Sequence, residues 1–207
     1  MAEPEHPQTY LITPPVFELS PFLTALSEVL DTCPVACLRL AMASHDEDAI
    51  SRAADALREV AHARDVALVI DTHVVLAQRL GLDGVHLLDG ARTVRYARKL
   101  LEEDAIVGAF CGITRHDGMS AAEAGADYVA FGPAGVTPLG DGAHVDFETF
   151  QWWSEMIEIP VVAEGALDLA QIRTLAPHVD FFGLGEEIWS TDNAAQTLKT
   201  LQSAMLP

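Results

Sequence analysis

The chain has 207 residues, half of them hydrophobic and 21% charged, the make-up of one globular domain over residues 1–207, which excludes a mostly disordered chain. Twelve Lys and Arg stand against 31 Asp and Glu, a net charge of −19, so nucleic acid and anionic membrane surfaces are disfavoured as partners. No apolar run approaches the ~20 residues that span a bilayer, and the acidic, Pro-containing start lacks the features of a signal peptide, so a cytoplasmic protein is expected.

Short apolar runs alternate with helical patterns along the whole chain. Residues 9–12 read as a first strand, followed by a helix over 22–30 with Ser20-Pro21 as cap and first turn. Residues 36–40 are a second strand and 49–63 an amphipathic helix with Ser44, Asp46 and Glu47 near its start. A continuous apolar strand, 66–70, precedes a helix over 74–80. Strand 84–87 and helix 94–101 follow, then strand 106–110 and helix 120–124. Strand 128–131 leads through a Gly- and Pro-rich loop, 132–142, to a helix over 147–157. Strand 160–163 with helix 169–175, and strand 181–184 with helix 194–205, complete eight units.

Eight strand–helix units in a chain of this length predict an α/β fold of the compact (β/α)₈ barrel type. An open doubly wound sheet is the alternative, but its Gly-rich turn after the first strand is here Thr13-Pro14-Pro15. In a barrel, chemistry collects where strands end, which selects Arg39, Asp71, Thr72, His73, His86, Asp89, Cys111, Thr137, Glu164, Gly165, Gly185 and Glu186. The three cysteines, Cys33, Cys37 and Cys111, support neither a disulfide framework nor a zinc site, and read as buried thiols.

Several segments resemble the thiamine phosphate synthase family, which includes the thiazole tautomerases. They are Tyr10-Leu-Ile-Thr13, Leu38-Arg39, the stretch from Asp71 to Ala77, Gly84-Val-His-Leu87, Gly125-Ala-Asp-Tyr128 through Gly132-Pro133 to Thr137, and Ile159-Pro-Val-Val-Ala163 with Gly165. The resemblance implies a barrel that joins an aminopyrimidine diphosphate to a thiazole phosphate and releases pyrophosphate, with Mg²⁺ as cofactor if the synthase reaction is retained. It also carries departures. The family's strand-2 Lys falls on Ala41, and its Asn-Asp-Arg reads Asp71-Thr72-His73. Its second metal carboxylate is lost near Gly90-Ala91, though Asp89 stands two places earlier. Its loop Lys falls near Gly140, its Ile-Gly-Gly reads Glu164-Gly165-Ala166, and its last strand-end Ser falls on Glu186. The tautomerases' loop His falls on Pro133.

Diphosphate transfer needs positive charge where negative charge gathers. The chain's two lysines, Lys99 and Lys199, fall in predicted helices, and only Arg39 and Arg115 of its arginines fall at or after a strand end. Beside the barrel's usual phosphate cradle, after strands 7 and 8, stand Glu164, Glu186 and Glu187. Two like charges ~5 Å apart repel by about 3 kcal/mol at an effective dielectric near 20. These glutamates are therefore expected to block the cradle, with carboxylates pointing to solvent as the alternative. Candidate ligand-binding residues are Arg39, Asp71, His73, His86, Thr137 and Gly165. Arg39 has a second reading, an ion pair with Asp71 or another barrel carboxylate. His86 has one too, a structural histidine bonded to a carboxylate. Asp71 and Asp89, with His73 nearby, form a candidate cation set. Trp152-Trp153 offers one core ring and one surface ring that suits a homo-oligomer contact. The expectation is a divergent member of the family, its synthase reaction lost or altered, binding a small molecule at the C-terminal mouth. An active synthase and a structural or regulatory oligomeric barrel are the alternatives.

Overall fold

The computed structural model describes residues 6–137 and 142–206. Eight parallel strands close into a barrel in chain order: β1 (Gln8–Ile12), β2 (Cys37–Leu40), β3 (Ala67–Asp71), β4 (Gly84–Leu87), β5 (Ile106–Phe110), β6 (Tyr128–Phe131), β7 (Val161–Glu164) and β8 (Phe181–Leu184). The last pairs with the first, Tyr10 opposite Gly183. Between them run α1 (Leu19–Thr32), α2 (Glu47–His62), α3 (Val74–Leu80), α4 (Val94–Leu100), α5 (Arg115–Ala124), α6 (Phe147–Met156) and α7 (Leu169–Leu175); α8 (Glu186–Trp189) and α9 (Ala194–Met205) end the chain. No helix among the described residues is long and apolar enough to cross a membrane.

Local chemistry sets the helix starts. Asp46 accepts the N–H groups of Asp48 and Ala49 ahead of α2, Thr114 that of Asp117 ahead of α5, and Asn193 that of Gln196 ahead of α9. Asp168 and Gln171 form a capping box at α7. Three details differ from the sequence reading. Helix α1 begins at Leu19 behind Glu18, so Ser20 and Pro21 lie inside its first turn rather than capping it. Helix α5 begins five residues earlier than predicted, behind the Thr114 cap, and takes in Gly118 at a point of close packing. A Cβ there would sit 2.6 Å from both Phe131 and Trp153. The short α8 was not anticipated.

Strand side chains alternate between two environments. One set, including Leu11, Leu38, Leu68, Val85, Val107, Val129, Val161 and Phe182, packs with Leu26, Leu57, Phe150, Trp153, Ile172 and Leu198 of the helices. The other faces the barrel axis and forms a small cluster of Tyr10, Cys37, Val69, Tyr128, Ala130 and Val162.

The base of the barrel repeats one device. Asp83, Asp127 and Asp180 each stand just before an even-numbered strand, and each carboxylate accepts an N–H from the preceding odd strand. The donors are Leu68 (2.6 Å), Val107 (2.7 Å) and Val161 (2.8 Å). The N–H groups of the same aspartates return bonds to the carbonyls of those three residues. At the β1–β2 step the equivalent residue is Ala36, whose N–H bonds the Thr9 carbonyl. There, Gln202 of α9 donates instead to Thr9 Oγ1 and to the Pro34 carbonyl.

Candidate functional site

The strand-end residues selected from the sequence fall into two groups. Arg39, Asp71, His86 and Glu164 meet in the barrel interior. Arg39 on β2 reaches His86 on β4 and Glu164 on β7, strands that are not its neighbours in the sheet, so these bonds cross the barrel. Its Nη1 donates to Glu164 Oε2 at 2.8 Å and to His86 Nε2 at 2.9 Å. Its Nε lies 3.3 Å from Asp71 Oδ1, an ion pair without an aligned hydrogen bond for either atom. The Arg39, Glu164 and Asp71 side chains are 8%, 12% and 16% exposed. Arg39 therefore pairs with both Asp71 and Glu164, the second reading weighed for it.

A guanidinium only donates, so His86 Nε2 is the acceptor and the ring proton sits on Nδ1, 2.8 Å from the Tyr128 hydroxyl. Tyr128 bonds Tyr10 at 2.6 Å. The partners of His86 are thus an arginine and a tyrosine, not the carboxylate expected, because the nearby carboxylates are turned to Arg39. Burial, helped by Arg39, holds the His86 pKa well below its ordinary value, so the ring is neutral. Burial raises both tyrosines. It also lifts Asp71 to about 6, with Glu164 adding to the rise and Arg39 opposing it. Burial works against the charge of Arg39 as well, but Glu164 and Asp71 keep it fully ionised.

The second group lies outside this knot. His73 is exposed at the start of α3, and Asp89 is exposed and accepts the Thr93 hydroxyl. Asp71 and Asp89 thus have different partners, and no group of three His, Cys, Asp or Glu side chains able to hold a metal occurs among the described residues. Thr137 is half-buried in the loop after β6, and the neighbourhood of Gly140 lies outside the described residues. Cys111 is buried and its thiol is pushed up to about 12, an inert group. Trp153 is fully buried and donates to the Ile159 carbonyl, whereas half-buried Trp152 lies under the Arg115 guanidinium.

A cavity of about 630 Å³ opens at the C-terminal mouth beside β1, β2, β7 and β8, lined among others by Pro14, Arg39, Glu164, Gly165, Glu187 and Trp189. The three glutamates behave differently there. Glu164 turns inward to Arg39. Glu186 is exposed. Glu187 alone reaches the loop amides: Oε2 accepts from Gly185 N–H at 2.9 Å and Oε1 from Leu167 N–H at 3.2 Å. The expectation that all three glutamates fill the cradle is corrected to Glu187. The side chains of residues 186 and 187 diverge because α8 starts there, an element not read from the sequence. Gly165 and Ala166 both take left-handed backbone angles, φ 85° and 55°, where the chain bends over the mouth.

Comparison with known proteins bears on this geometry. A family model described as thiamine monophosphate synthase matches residues 9–184. A thiamine-phosphate synthase of Rhodospirillum centenum is 40% identical over 185 residues, 87% of this chain and 88% of that protein. One of Erythrobacter litoralis is 35% identical over 202 residues, 94% of each chain. Among solved structures, a thiamine phosphate pyrophosphorylase from Pyrococcus furiosus superposes with a TM-score of 0.81 at 22% identity, covering 96% of this chain and 95% of that one, a likeness of fold. A 3-hexulose-6-phosphate synthase shares the fold at a TM-score of 0.72 and 16% identity, covering 96% and 100%. The relatives carry the synthase name, and nothing in them supports the expected loss of activity.

Proposed function

The chain belongs to the thiamine monophosphate synthase family, and from that premise we propose that it is an active synthase, joining an aminopyrimidine diphosphate to a thiazole phosphate at the barrel mouth with release of pyrophosphate. The 40% identity to the Rhodospirillum centenum synthase, across seven-eighths of both chains, carries this reading. The mouth cavity supports it, being the right size for small heterocyclic substrates and placed where barrels hold their chemistry. In this reading Arg39 supplies fixed positive charge at the floor, and the Gly185 and Leu167 amides supply donors at the rim.

One observation favours a second reading, in which the site is altered and takes a small molecule without a diphosphate. Arg39 is already paired with Glu164 and Asp71, and the rim amides are already bonded by Glu187. Incubation with both substrates and Mg²⁺, with thiamine phosphate measured by fluorescence after oxidation, separates the two. Turnover in the ordinary range of ~1–10³ per second is expected. A folded protein whose melting temperature responds to thiazole phosphate, yet which forms no product, would establish the second reading instead.

A further inference from the structure

Glu187 is the point where the two readings of the mouth collide. Its two carboxylate oxygens divide between two loops, one bonding the Gly185 amide after β8 and the other the Leu167 amide after β7. A carboxylate placed this way makes the contacts that an oxyanion of a ligand would make, at charge-assisted hydrogen-bond distances. Its neighbour Glu186 is exposed and has no such bonds, so the arrangement belongs to one side chain and is not a general excess of acid. The same cavity also holds a buried positive charge. Arg39, more than nine-tenths buried, lines that cavity, its Nε–H facing Asp71 at 3.3 Å without an aligned bond.

We propose that Glu187 is an internal competitor for the anionic group of the ligand, holding the two rim amides until a phosphate group displaces it. Resting on the reading of the mouth as a site for phosphate-bearing substrates, this adds to it an autoinhibitory contact supplied by the chain itself. Displacement needs only rotation of the Glu187 side chain, which is half-buried and borders the open cavity. Until it moves, an incoming anion meets a like charge and finds the Gly185 and Leu167 amides already bonded.

The test titrates the full chain with inorganic phosphate and with pyrophosphate by calorimetry, comparing the native protein with Glu187→Gln, Glu187→Ala and Glu186→Gln. Either Glu187 variant should bind phosphate roughly tenfold more tightly or better, the scale of one charge-assisted hydrogen bond. Glu186→Gln should change the affinity by less than about threefold, because Glu186 borders the same cavity but is open to solvent and bonds neither amide. The Gly185 and Leu167 amide resonances should move strongly with phosphate in the Glu187 variants, and in the native protein only at higher concentration. A folded Glu187→Ala protein with native phosphate affinity, or with amides indifferent to phosphate, would overturn the proposal. The Gln variant serves if Ala disturbs the fold. Failure of synthase turnover with a gain in phosphate affinity would remove the synthase reading and leave Glu187 as competitor. Turnover with no such gain would do the reverse.

Discussion

The two faces of the barrel strands obey different physics. On the helix side, Leu38, Leu68, Val85, Val107 and Phe182 are wholly buried among other apolar groups, and burial there is non-directional. On the axis side, Arg39, His86, Tyr128, Tyr10 and Glu164 are buried too, but each bonds a named partner across the barrel. The outer face tolerates exchange of one apolar residue for another of similar volume. The inner face tolerates no loss of a partner, since a buried charge left alone costs more than the pair contributed.

The sharpest way to break this contrast is a pair of substitutions. Arg39→Met should destabilise the protein by about 3–5 kcal/mol near neutral pH, because it strands two buried carboxylates, and the loss should shrink on acidification as they take up protons. Leu68→Ala, on the outer face, should cost about 2–5 kcal/mol by cavity formation and stay constant with pH. Urea unfolding between pH 5 and 8 measures both. Equal pH profiles would mean that the inner face is held by packing after all.

A smaller effect isolates one inner carboxyl. Asp71 titrates at about 6 in the folded protein against an ordinary 3.8. Between those values the native state holds a proton that the unfolded chain has released. Its stabilising contribution is therefore complete below about pH 4 and is lost as pH rises through 6. Relative to Asp71→Asn, the native protein should lose on the order of 3 kcal/mol across that window. A flat difference would place Asp71 in water rather than in the interior.

The smallest effect belongs to neither face. Ala166 sits at φ 55° on the mouth loop, where the family pattern has Gly. Ala166→Gly should relieve left-handed strain but add freedom to the unfolded chain, a net gain of roughly 0.5 kcal/mol. Loss of stability would show that the Ala methyl packs favourably at the mouth.

The two faces also differ in how legible they are. Alternation of Leu, Val and Ile with other residues locates the outer face and the eight strands, because apolar burial depends only on residue type and period. It places Arg39, Asp71 and His86 near one end as well. It does not identify Glu164 as the partner of Arg39, a residue 125 positions away whose approach depends on the closed ring of strands. Nor does it separate Glu186 from Glu187. Adjacent in sequence and identical in chemistry, they are distinguished only by the turn of a four-residue helix. Residue type decides the outer face, and relative position in the closed barrel decides the inner one.

The aspartates at the base carry the idea of repetition further. Asp83, Asp127 and Asp180 mark three quarter-turns of the ring that share one fastening. The fourth quarter, where the first strand meets the second, has Ala36 in that place and is fastened by Gln202 from the last helix. The ring is thus clasped by its own tail. The three aspartate quarters are fastened by residues that sit beside the strands they hold, within 20 positions of them, whereas the fourth draws on a residue 193 positions from Thr9. A cavity of about 690 Å³ lies at this clasp, lined by Thr9, Pro34, Ala36 and Gln202 among others. Three of these steps thus carry their side-chain fastening within the strand pair itself, while the β1–β2 step, paired along its own backbone, borrows its side-chain fastening from the C-terminal helix.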